Sequence, residues 1–100
     1  MLSFFLDWAK HIGEIQTSLG VEATVTEGRP SDNSSARLDI DTPTAVARIT
    51  CWRSGEFHAE VIDLETEQMR FSSQGVLRGE LPIELQVAPF LAAIGIDSKQ

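Results

Sequence analysis

Cysteine occurs once in these 100 residues, tyrosine not at all and histidine twice. The lone thiol, Cys51, cannot close a disulfide within the chain, so the fold must rest on its apolar core and needs no oxidising compartment. A cytoplasmic home is expected. Proline (4) and glycine (7) are too sparse for a collagen-like or low-complexity chain. Basic side chains are scarce as well: 8 Lys and Arg face 15 Asp and Glu, a formal charge of −7. That field repels phosphate backbones and anionic lipid, which argues against nucleic acid and membrane partners and favours a basic protein surface. No apolar run approaches the ~18–20 residues of a membrane span. The apolar start, Met1 to Leu6, has no basic flank and is cut by Asp7, so it does not read as a secretion signal. The chain does have 42% hydrophobic and 23% charged residues, enough for one core, and is read as one domain over residues 1–100.

Phe5, Trp8, Ile12, Ile15 and Leu19 recur at spacings of three and four, which predicts a helix from Ser3 to Leu19. Ser3 is the expected N-cap, Asp7 adds favourable charge near the start, and Gly20 is the expected stop. Alternation then predicts strands at Val21–Thr26, around Leu38 and Ile40, and at Ala45–Trp52, Glu56–Asp63 and Gln68–Ser73, the last with Met69 and Phe71 facing the core. Glu27 to Ser35 has no apolar side chain and is expected to be an exposed, mobile loop. Ser73 to Gly79 reads as a further loop. Ile83, Val87, Phe90, Leu91 and Ile94 form a second helical stripe ending at Gly95; Pro82 suits its first turn and Pro89 should kink it. The expected fold class is α+β: a helix, a five-stranded antiparallel meander and a helix, with both helices on one sheet face and the other face open to solvent.

The register of the central hairpin follows from its side chains. A two-residue turn at Ser54–Gly55 would set Arg48 in an apolar layer. A three-residue loop, Arg53-Ser54-Gly55, instead faces Cys51, Ile49 and Ala47 with Phe57, Ala59 and Val61, and makes one face wholly apolar. On the other face Trp52 then opposes Glu56, Thr50 opposes His58, Arg48 opposes Glu60 as an opposite-charge pair, and Val46 opposes Ile62.

This register separates Cys51 from His58, so no thiol–imidazole couple forms and no catalytic residue is assigned. The two histidines and one cysteine lack metal-ligand spacing, and Asp39 with Asp41 reads as a solvated strand face. Glu56, Glu60, Asp63, Glu65 and Glu67 lack the pattern of a calcium loop and read as an acidic rim. No glycine-rich phosphate loop is present, so no cofactor is expected. Trp8 belongs to the core stripe. The candidate site is therefore a partner-binding face: Trp52 as an anchor, surrounded by Arg48, Glu60, Glu56, Asp39 and His58, a mixture enriched in protein interfaces.

Several segments carry a likeness to a known family: Leu38-Asp39-Ile40-Asp41, the turn Trp52-Arg53-Ser54-Gly55, and Glu60-Val61-Ile62-Asp63-Leu64-Glu65-Thr66. With the Phe5-x-x-Trp8 helix and a carboxy-terminal amphipathic helix, the chain resembles the TriTu family of bacterial immunity proteins over nearly its whole length. The resemblance implies binding and silencing of a cognate Rhs-type toxin delivered by type VI secretion, an ADP-ribosyltransferase that uses NAD to modify elongation factor Tu. It further implies a 1:1 inhibitor without catalysis or cofactor, protecting the producing cell by occluding the toxin's active site. A small acidic secretion chaperone, holding an extended effector segment along its sheet, is the alternative that the residues leave open.

Overall fold

In the computed structural model, residues 1–15 and 20–95 are described. The first helix, α1, spans Leu2–Ile15. It starts one residue before the expected cap: the Phe5 N–H donates to the Met1 carbonyl at 3.1 Å, so Ser3 lies inside the first turn and Asp7 beyond it. The expected continuation through Leu19 falls outside the described residues. Five strands follow, β1 (Glu22–Glu27), β2 (Ser35–Asp41), β3 (Ala45–Trp52), β4 (Glu56–Asp63) and β5 (Met69–Val76). They form one antiparallel sheet in the order β1-β2-β3-β4-β5, each strand beside its predecessor.

The β3–β4 register is the expected one, with Cys51 opposite Phe57, Ile49 opposite Ala59 and Arg48 opposite Glu60. Gly55 closes the three-residue turn in a left-handed conformation (φ 96°) and donates its N–H to the Trp52 carbonyl at 2.8 Å. The β1–β2 loop is exposed as expected, and its far end is fastened to this turn. Arg53 N–H reaches the Ser34 carbonyl at 2.7 Å, and Ser54 N–H the Asn33 Oδ1 at 3.0 Å.

Strand β5 departs from expectation twice. Val61 pairs with Phe71 but Ile62 pairs with Met69, leaving Arg70 as the extra residue of a bulge. Met69 is thereby turned to the open face, where it is 51% exposed. Arg70 is drawn the other way: its guanidinium donates to Asp63 Oδ2 (2.7 Å), the Thr44 carbonyl (3.0 Å) and the Ala93 carbonyl (3.3 Å). The strand also runs on through Val76, because the small residues Ser73 and Gly75 fit beneath the inner face; a Cβ on Gly75 would come within 3.3 Å of the Phe57 ring.

The expected kinked helix is two helices, α2 (Ile83–Gln86) and α3 (Ala88–Ile94), broken at Val87. Pro89 has no N–H and crowds the preceding turn, so the hydrogen-bond ladder cannot cross it. Pro82 stands just before α2, and Gly95 ends α3 in the left-handed region (φ 98°) with its N–H shared between the Leu91 and Ala92 carbonyls. Helices α1 and α3 lie on the same sheet face, α1 over β1 to β3 and α3 over β3 to β5. Between them and the sheet, Phe5, Ile12, Leu38, Ile49, Val61 and Phe90 are fully buried. Each such side chain contributes about 1.5–3 kcal/mol by leaving water. The fold is thus the expected α+β arrangement of helix, antiparallel meander and carboxy-terminal helices.

Candidate functional site: the open sheet face

Alternation along paired strands arranges the uncovered face in four cross-strand rows. From the β3–β4 turn outward they are Ser35, Trp52, Glu56 and Val76; then Arg37, Thr50, His58 and Gln74; then Asp39, Arg48, Glu60 and Ser72; and last Asp41, Val46, Ile62 and Met69. All six residues singled out in the sequence stand on this face. They divide into two groups. Trp52, Glu56 and His58 line a shallow hollow of about 630 Å³ beside Val76, while Asp39, Arg48 and Glu60 line one of about 220 Å³ beside Val46 and Ile62.

The charged row differs from the expected pairing. Arg48 faces Glu60 in register, yet its Nε donates to Asp39 Oδ1 at 2.6 Å; Arg37 Nε donates to Asp39 Oδ2 at 3.0 Å. One carboxylate therefore bridges two guanidinium groups, and Asp39 is not a free acceptor for a partner's base. The hydrogen bond that Arg48 donates to Asp39, then the charge of Asp39, with a smaller contribution from Glu60, raise the Arg48 pKa above its ordinary value. Glu56 and His58 are exposed, whereas Trp52 and Glu60 are half-buried.

The sequence placed Val46 opposite Ile62 on this face, as found, but missed two further apolar residues at its ends. Val76 is 62% exposed next to Trp52, and Met69 extends the Val46–Ile62 row. Met69 carried no local signal, because its orientation depends on the bulge at Arg70. Val76 belonged to a stretch whose serines, glutamine and glycine read as a loop.

On the inner side, Cys51 is fully buried, and burial pushes its thiol up to about 11. It lies on the opposite face of the sheet from His58, as the register required. Among the described residues, no three His, Cys, Asp or Glu side chains converge as metal ligands, and no helix is long and apolar enough to cross a membrane.

A two-layer α+β domain with a mixed apolar and charged face left bare by its helices has the geometry of a protein-recognition module. The chain's family is more specific than that. The family model described as Immunity protein TriTu matches residues 3–93, and the chain belongs to that family of immunity proteins. A comparison with curated proteins gave no match.

Proposed function

We propose that this protein binds and silences a cognate Rhs-type toxin of a type VI secretion system, one that transfers ADP-ribose from NAD to elongation factor Tu. It acts in the cytoplasm of the producing cell as a 1:1 inhibitor, without catalysis or cofactor of its own, by occluding the toxin's active site. The observation that carries this reading is the open sheet face of a member of an immunity-protein family, with aromatic and apolar ends around a charged centre. Trp52 and Val76 anchor one end and Val46, Ile62 and Met69 the other. Glu56 and Glu60 supply carboxylates for basic toxin side chains, Arg48 and Asp39 act as one preformed polar unit, and His58 sits between the groups. The net charge of −7 steers the encounter with a basic surface.

The direct test is transfer of labelled ADP-ribose from NAD to elongation factor Tu by the toxin domain encoded beside this gene, with and without one equivalent of this protein. Transfer is expected to stop at equimolar protein. Undiminished transfer by an active toxin would remove this function.

A further inference from the structure

On the helix side of the molecule, away from the open sheet face, a groove of about 470 Å³ runs between α1 and the segment that leads into α2. Its floor and walls include Phe4, Trp8, Leu81, Pro82 and Ile83. Phe4 is 62% and Leu81 46% exposed, although both are large apolar side chains. One wall is held in shape by Gln86: its Oε1 accepts the Arg78 N–H at 2.7 Å, and its Nε2 donates to the carbonyls of Arg78 (2.8 Å) and Leu81 (3.1 Å). A groove with fixed walls does not have to be ordered by its ligand.

Two independent features describe the occupant. The first is the exposed apolar pair Phe4 and Leu81, with the ring of Trp8, 3% exposed, lining the groove and its indole nitrogen shut off from solvent. The rim is also acidic. Arg78 is neutralised by Glu80 at 2.8 Å, whereas Asp7 and Glu84 make no ion pair among the described residues. His11 completes the rim.

We infer that this groove is a second docking site, which takes a polypeptide segment bearing a bulky apolar side chain next to Lys or Arg. The apolar side chain fills the space between Phe4 and Leu81. The flanking cation meets Asp7 and Glu84. This inference does not depend on the identity of the toxin, because the groove and the open sheet face lie in different layers of the fold.

The test uses the whole chain labelled with nitrogen-15, whose two indole N–H resonances are assigned from the spectrum of Trp52→Phe. The probe is the acetylated and amidated tetrapeptide Lys-Leu-Phe-Lys; the control has Glu in place of both Lys. The Trp8 indole signal, from a ring that lines the groove, is expected to shift on titration with the lysine peptide. The glutamate peptide should bind about tenfold more weakly or less, since charge complementarity is reversed. Asp7→Lys, an exposed helix position, should remove most of the difference between the two peptides. A Trp8 signal that stays still, equal responses to both peptides, or movement of the Trp52 signal alone would each overturn the inference.

Discussion

Gly55 joins the two strands that carry Trp52 and Glu56, and replacing it with alanine tests the turn on which the candidate face depends. Its φ of 96° lies in the left-handed region, where an L side chain costs about 1–2 kcal/mol. The added Cβ would also stand 3.2 Å from the Leu77 carbonyl oxygen. That oxygen cannot retreat freely, because Leu77 N–H is held by the Gly55 carbonyl at 2.8 Å. Crowding against backbone adds about 1 kcal/mol, for a total of about 2–3 kcal/mol. Urea unfolding followed by tryptophan fluorescence reads this directly. With a slope of about 1 kcal/mol per molar for a small domain, the midpoint should fall by about 2–3 M. Gly13→Ala is the matched control. It lies inside α1 with its nearest new neighbour, Ala23 Cβ, at an ordinary 3.9 Å, so it should gain about 0.5–1 kcal/mol. A Gly55→Ala protein within about 0.5 kcal/mol of the parent would refute the strained-turn reasoning.

Trp52→Ala should weaken toxin binding by at least about 2 kcal/mol, roughly thirtyfold in Kd by calorimetry, with a folded spectrum retained; unchanged affinity would move the interface off this end of the sheet. The Asp63 carboxylate accepts the Thr66 and Glu65 N–H groups and pairs with Arg70, and these bonds, that from Thr66 foremost, hold its pKa below the ordinary value. A depressed pKa in the folded state means stability present above the unfolded value and lost as pH falls through the folded one. The urea midpoint should therefore decline on acidification below about pH 4, and less steeply in Asp63→Asn; identical acid slopes would contradict that assignment. Cys51, buried with its thiol near 11, should resist a disulfide reagent at pH 8 until urea unfolds the chain. Immediate labelling in the native state would show the core to be open there.

The parts of this molecule that sequence reveals are those decided by neighbours along the chain or across one hairpin. The β3–β4 register followed from keeping Arg48 out of an apolar layer, a choice between two alternatives that a single charged residue settles. Met69 was misplaced because the bulge beside it is fixed by what Arg70 reaches: Thr44, Asp63 and Ala93 lie on three separate segments. Pro89 signalled an interruption, and only the geometry at Val87 makes it a complete break. The six residues of the candidate face were legible through strand alternation, but the true partner of Arg48 was not. Register sets Arg48 directly opposite both Glu60 on β4 and Asp39 on β2, and side-chain geometry selects Asp39. The helix-side groove left no periodic trace, since it forms where α1 meets a loop some seventy residues later in the chain.

The unbroken succession of strands from β1 to β5 has a consequence in time as well as in space. Every strand finds its partner in the segment synthesised just before it, so each pairing closes a short loop, and short closures keep the entropic barrier to folding low. The candidate face is assembled from the chain in order, hairpin upon hairpin, and α3, which follows all five strands, helps seal the opposite side of the sheet. With such a topology no strand waits on a distant segment, and the sheet can form while the rest of the chain is still being made.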